Sequence, residues 1–172
     1  MKRLLFVLGL FVLGFNVAAC DGDSPTAPTS TTRLTAVLLP ANEVPAIVGA
    51  EAAGSGTVTI TLNVSKDSAG YVTGATADFA VTVTGFPNGT ALTGAHIHAG
   101  GVGVNGGIQI SLGLTAGDIS FPNGAGSFNR NNITVTADQA NAILANPSSF
   151  YFNIHTATNL GGVARGQLVI SQ

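Results

Sequence analysis

Alternation of hydrophobic and polar residues runs through most of the chain and predicts β-strands. The clearest example is GTVTITLNV (56–64), where Val58, Ile60, Leu62 and Val64 alternate with threonine and asparagine. Successive side chains of a strand point to opposite faces of a sheet. This segment therefore buries one face and exposes the other. Similar segments recur over residues 33–171, separated by glycine, proline and asparagine.

The spacing of these segments predicts about seven to nine strands, and therefore a β-sandwich or barrel in one domain. The strand segments are LTAVLL (34–39), GTVTITLNV (56–64), YVTGATADFAVTVTGF (71–86), GAHIHAG (94–100), GIQISLG (107–113), GSFNRNNITVT (126–136), FYFNIHT (150–156) and VARGQLVIS (163–171). One segment departs from the alternation. TADQANAILANP (136–147) begins with a capping box, Thr136 to Gln139, which predicts a short helix that ends before Pro147.

The first 19 residues are predicted to be a signal peptide. Lys2 and Arg3 precede an apolar run over residues 4–13, which is too short to cross a bilayer as a helix. The run ends in Val17-Ala18-Ala19-Cys20, which resembles the lipobox of bacterial lipoproteins. That resemblance implies that Cys20 is lipidated and becomes the first mature residue. The alternative is an ordinary secretory signal with an incidental cysteine.

The segment after Cys20, DGDSPTAPTSTT (21–32), lacks apolar periodicity and is rich in Pro, Ser and Thr. We therefore predict a lipidated cysteine and flexible tether over residues 20–32 and a folded domain over residues 33–172. Cys20 is the only cysteine, so the chain forms no internal disulfide and its core must hold the fold. These features predict an exported, membrane-anchored protein of the bacterial cell envelope, in either the inner or the outer membrane.

The charge of the chain argues against nucleic acid as a partner, and most of the polar surface consists of uncharged residues. Without Lys2 and Arg3, four basic residues remain against eight acidic ones, so the net charge is −4. The absence of a basic cluster argues against nucleic-acid binding. Charged residues make up 8% of the chain, and 19 threonines supply much of the polar surface. β-Branched threonine favours strands.

The chain has three histidines, and the alternation assigns all of them to faces that point away from the core. In GAHIHAG, Ile97 faces the core, so His96 and His98 share the opposite face. In FYFNIHT, Phe150, Phe152 and Ile154 face inward, which leaves Tyr151, Asn153 and His155 together. In VARGQLVIS, Leu168 and Ile170 are predicted to face inward, and Arg165 and Gln167 outward.

Four segments in order resemble the CHRD domain, a module named for chordin. They are LLPANEVPAI (38–47), TGAHIHAGG (93–101), YFNIHT (151–156) and GGVARGQL (161–168). The resemblance implies an immunoglobulin-like or Greek-key β architecture and no assigned reaction. Two residues depart from the family pattern. Val163-Ala164 replaces Glu-Ile, which removes an expected partner of Arg165, and Leu160 replaces a proline.

We expect a non-enzymatic binding or structural module for an unknown protein or glycan ligand. The alternative is a small metalloprotein in which His96, His98 and His155 bind Cu or Zn as a redox or hydrolytic metal. Acid–base catalysis by these histidines is a third hypothesis. A metal site requires nitrogen separations below roughly 6 Å, because each ligand lies about 2 Å from the ion. Otherwise the histidines belong to a structural polar network with Arg165, Asn153 and Tyr151.

Two further patterns argue against common active sites. No Gly-x-Ser-x-Gly motif accompanies the serines. The glycine-rich segments GAEAAGSG (49–56) and GGVGVNGG (100–107) do not precede a predicted helix, so they do not indicate phosphate binding. The second segment is predicted to be a mobile loop beside the histidine strand. Glu43 in ANEVP is assigned a structural role at the edge of the sandwich.

Overall fold

The computed structural model describes residues 29–171 of the chain. The predicted signal peptide, Cys20 and most of the predicted tether lie outside these residues. The described part contains ten strands and one α-helix: β1 Thr29–Leu38, β2 Ser55–Lys66, β3 Val72–Thr84, β4 Thr90–Ala99, β5 Ile108–Ser111, β6 Ser120–Phe121, β7 Gly126–Val135, α1 Ala137–Ala145, β8 Phe150–Thr156, β9 Ala164–Gln167 and β10 Val169–Ile170. Two of the strands, β6 and β10, are only two residues long and raise the number above the prediction.

The strands form two antiparallel sheets. The first sheet has the order β10-β1-β2-β3-β7, and the second has the order β5-β4-β8-β9, with β6 paired to the start of β4. Leu39, just after β1, exchanges two backbone hydrogen bonds with Arg165 of β9 and so joins the two sheets along one edge. The architecture confirms the predicted all-β sandwich with one short helix.

The core lies between the two sheets and contains the residues that the alternation assigned to it. Val58, Ile60, Leu62 and Val64 of β2 are all buried. Phe79 of β3 stacks on Phe152 of β8 with ring centroids 5.9 Å apart. Because these two rings come from different sheets, their contact links the sheets across the core.

The first strand begins earlier than the composition predicts. β1 starts at Thr29, so residues 29–32 belong to the first sheet, and the predicted boundary of the tether at residue 32 is wrong. These residues pair with residues 62–65 of β2, and Thr31 Oγ1 donates a hydrogen bond to Asn63 Oδ1 at 3.0 Å. Threonine fits the half-exposed surface of a strand, so pairing with the long β2 outweighs the polar composition.

The last strand segment also differs from its prediction, because it divides between the two sheets. Leu168 is buried as predicted, but Ile170 is 53% exposed. The chain leaves the second sheet after Gln167, and β10 then pairs with Leu34 and Thr35 of β1. A change of sheet interrupts the alternation, so the inward assignment of Ile170 is wrong.

The helix α1 has the predicted N-terminus. Gln139 N donates to Thr136 Oγ1 at 3.2 Å, and Thr136 N donates to Gln139 Oε1 at 2.9 Å, which completes the capping box. The helix buries Ala140 and Ile143 against the sandwich. Among the described residues, no helix is both long and apolar enough to cross a membrane.

Candidate metal centre

Pairing of β4 with β8 brings the three histidines together on the outer face of the second sheet. His96 lies opposite Asn153, His98 opposite Tyr151, and His155 opposite Gly94. One potential ligand atom from each of the three rings lies within 4.8 Å of the others. This separation is below the limit of roughly 6 Å set above, and since two ligands of one ion lie at most about 4 Å apart, metal binding would draw the rings slightly closer.

The outer face of the second sheet is covered rather than open to solvent. His98 and His155 are only 8% and 7% exposed, while His96 is half-buried. Much of the cover comes from residues 100–107, which we predicted to be a mobile loop. In the structure, this loop accepts hydrogen bonds from the side chains of His98, Arg165 and Gln167. These bonds fix the loop over the histidines.

Two backbone carbonyls determine which nitrogen carries hydrogen in two of the rings. His98 Nδ1 lies 3.0 Å from Gly106 O, and His155 Nδ1 lies 2.9 Å from Leu160 O. A carbonyl oxygen only accepts, so each Nδ1 donates and each neutral ring keeps a lone pair on Nε2. Nε2 of His98 is buried and has no hydrogen-bond partner.

Of the two polar atoms beside His155 Nε2, only His96 Nδ1 has a tautomer that donates a hydrogen bond to it. His96 Nδ1 lies 2.9 Å from His155 Nε2, and Asn153 Oδ1 lies 2.8 Å from it. A neutral imidazole has one N–H, which His155 already directs at Leu160, so Nε2 has no proton to donate to Asn153. A cation at this position would stabilise the close approach of the nitrogen and the oxygen.

The site keeps His96 and His155 in the neutral form. The pKa of His96 is lowered to about 4, mainly by burial and in smaller part by the neighbouring His155 and His98. Burial also lowers the pKa of His155, although its hydrogen bond to Leu160 acts in the opposite direction. Neutral imidazole is the form that binds metal ions, so at neutral pH these two rings lose no proton when they bind one.

The predicted polar network surrounds the cluster. The ring of Tyr151 stacks on His98 at 5.0 Å with an interplanar angle of 5°, and the guanidinium of Arg165 lies 4.5 Å from the Tyr151 centroid. Arg165 is 2% exposed, and its Nε donates to Asn42 O at 2.6 Å. Its Nη1 donates to Asn105 Oδ1 at 2.8 Å. Arg165 therefore holds two covering segments against the second sheet.

Glu43 is the carboxylate that approaches Arg165 among the described residues. Its Oε2 lies 3.9 Å from Arg165 Nε, although the two residues are far apart in sequence. Glu43 is 6% exposed, and burial raises its pKa to about 7 even though the charge of Arg165 and the amide of Asn153 lower it. The sequence identified Glu43 only as part of ANEVP and gave no sign that it approaches Arg165.

Two glycines make room for these side chains, and the sequence analysis did not single out either one. A Cβ on Gly94 would lie 2.9 Å from Cε1 of His96, so glycine allows the imidazole to lie over β4. A Cβ on Gly162 would lie 2.7 Å from Oε1 of Glu43 and 2.6 Å from Nδ2 of Asn153. Gly162 also has φ +133°, a conformation that favours glycine.

Comparison with known proteins identifies the family. Residues 34–168 match the sequence profile of the CHRD domain. No curated protein and no solved structure matches the chain. The CHRD domain is not a known enzyme family, and the match supports a non-enzymatic module. Because the match covers most of the chain and includes the histidine strands and the closing arginine motif, the protein belongs to the CHRD-domain family.

Proposed function

We propose that the protein is a lipid-anchored, non-enzymatic CHRD module of the bacterial cell envelope that binds one Cu or Zn ion through His96, His98 and His155. The observation that carries this proposal is the buried Nε2 of His98, which has no partner and belongs to a group of three converging imidazoles. The proposal assigns metal binding to the protein and no catalytic reaction.

A metal ion accounts for features that a purely structural network leaves unexplained. A buried polar atom without a hydrogen bond costs about 1–3 kcal/mol, and Nε2 of His98 is such an atom. A histidine that binds metal commonly donates its other N–H to a carbonyl or a carboxylate, as His98 and His155 do. In a purely structural network, the buried lone pair of His98 would be expected to have a donor, as that of His155 has in His96 Nδ1.

The position of the site suits a domain that is anchored at its N-terminal end. β1 runs from Thr29 to Leu38, a distance of about 30 Å at roughly 3.3 Å per residue. Leu39, just beyond β1, bridges to Arg165, which pairs with Asn153 at the level of the histidines. With lipid on Cys20, the tether would join β1 at the end away from the metal site, so the site would face away from the membrane.

Equilibrium dialysis followed by elemental analysis tests the proposal. Purified, tag-free protein is expected to bind about one equivalent of Cu or Zn with a Kd below about 1 µM. His98→Ala should abolish this binding. Asp78→Asn, which changes a side chain on the first sheet, should leave it unchanged. Failure of the unmodified protein to bind either metal with better than micromolar affinity would refute the metal site.

A further inference from the structure

The three histidines of the candidate metal site are uncharged ligands. Within residues 29–171, the group that can hold a metal consists of three histidines, and no carboxylate or thiolate belongs to it. The polar atoms that touch the imidazoles are the amide of Asn153 and the carbonyls of Gly106 and Leu160, which are also neutral. A bound ion would therefore keep its full charge.

The surroundings of the cluster disfavour a high positive charge. His98 and His155 are buried, and the cost of burying an ion rises with the square of its charge. The guanidinium of Arg165 lies against Tyr151, which stacks on His98. The nearest described carboxylate on this network is Glu43, which lies 3.9 Å from Arg165 and offsets that charge rather than the charge of the metal.

Ligand number also discriminates between metal ions. Zn(II) completes a tetrahedron and so requires a fourth ligand, and Cu(II) favours a tetragonal arrangement with at least four. Cu(I) is stable with three ligands in a plane. Three imidazoles with ligand atoms within 4.8 Å of one another supply that number.

On the basis of the metal-binding function proposed above, we propose that this site selects Cu(I) over Cu(II) and Zn(II). A monovalent ion carries the smallest charge into the buried cluster and needs no further ligand. The module would then bind copper in its reduced state at the cell envelope.

The charge argument identifies Glu43 as a residue that tunes this selectivity without touching the metal. Its carboxylate is the negative group nearest to Arg165 in the described structure. Glu43→Gln removes that negative charge and makes the surroundings of the cluster more positive. The change penalises a divalent ion more than a monovalent one, so the preference for Cu(I) should increase several-fold. Asp78→Asn removes the same charge from the first sheet and should leave the preference unchanged.

The experiment measures three affinities with the purified protein. Cu(I) is titrated anaerobically against bicinchoninate, Cu(II) against nitrilotriacetate, and Zn(II) against a chromogenic chelator, all at about pH 8, above the pKa of Glu43, where its carboxylate is ionised. The Kd for Cu(I) is expected to be about 100-fold lower than the other two, a difference of about 2.7 kcal/mol. Glu43→Gln should widen this ratio.

The outcomes separate this inference from the proposed function. If Zn(II) or Cu(II) binds within tenfold of Cu(I), the selectivity is refuted while metal binding stands. If Glu43→Gln behaves like Asp78→Asn, the charge argument for the selectivity is overturned. If none of the three ions binds, both the selectivity and the metal-binding function fail.

Discussion

Glu43→Gln is expected to stabilise the protein at alkaline pH, although it removes one partner of a buried ion pair. The ionised carboxylate is buried, its Oε1 has no hydrogen-bond partner, and its Oε2 lies 3.9 Å from Arg165 Nε. At that distance, the attraction of Arg165 does not offset the loss of hydration. Glutamine retains the shape of the side chain without the charge. Arg165 keeps its hydrogen bonds to Asn42, Val104 and Asn105.

The magnitude follows from the pKa of Glu43, which is raised from 4.5 in the unfolded chain to about 7 in the folded one. Between these values the unfolded state loses its proton first, so the contribution of Glu43 to stability falls as pH rises. At about 1.4 kcal/mol per pKa unit, the full loss is about 3 kcal/mol. This loss of stability is absent below about pH 4.5 and complete above about pH 7.

Urea denaturation monitored by far-UV circular dichroism at pH 5 and pH 8 measures this effect. The difference in unfolding free energy, Glu43→Gln minus the unmodified protein, should increase by about 2 kcal/mol between the two pH values. Titration of the histidines occurs in both proteins and cancels in the difference. A difference that does not vary with pH, or a variant that is less stable at pH 8, would show that the ion pair with Arg165 compensates for burial.

Glu51→Gln provides a matched comparison at a second buried glutamate. The carboxylate of Glu51 accepts hydrogen bonds from Thr156 Oγ1 and Asn159 Nδ2, whereas Oε1 of Glu43 accepts none. The amide oxygen of glutamine can still accept both bonds, but without the negative charge each bond is about half as strong. Glu51→Gln should therefore destabilise the protein at pH 8, where Glu43→Gln stabilises it.

Three further predictions concern the network, the helix and the anchor. Arg165→Met should destabilise the protein by about 3–5 kcal/mol in urea denaturation, because it leaves Glu43 without a cation and frees the covering loop. A decrease in unfolding free energy below about 1 kcal/mol would contradict this role. Gln139→Ala removes half of the capping box of α1 and should cost about 1 kcal/mol in the same assay, whereas no change would mean that the cap does not stabilise the helix. Cys20→Ser should move the protein from the membrane fraction to the soluble fraction of cells, and retention in the membrane would refute lipid anchoring.

Period-two alternation was sufficient to predict the sandwich and to place the histidines on one face. Each of the strands β4 and β8 buries one face in the core, so the alternation fixed the direction of His96, His98 and His155. It failed where the pairing changes. Ile170 lies in a segment that moves from one sheet to the other, and Thr29 belongs to a polar segment that pairs with a long neighbouring strand.

The cover of the site was not predictable from local patterns. Glu43 contacts Arg165, which is distant from it in sequence. Gly106 lies in a glycine-rich loop that folds back over His98 of β4. Local alternation describes the faces of a strand but carries no information about which loop folds over a face. For this reason the sequence placed the histidines on faces away from the core but gave no sign that two of them are buried under loops.

X-ray absorption spectroscopy of the copper-loaded protein tests the central claim most directly. The account predicts three nitrogen neighbours at about 2.0 Å with the multiple-scattering pattern of imidazole, and no bound copper in His98→Ala after the same loading. A spectrum without the multiple-scattering pattern of imidazole, or an identical spectrum in His98→Ala, would contradict binding of the ion by the three histidines.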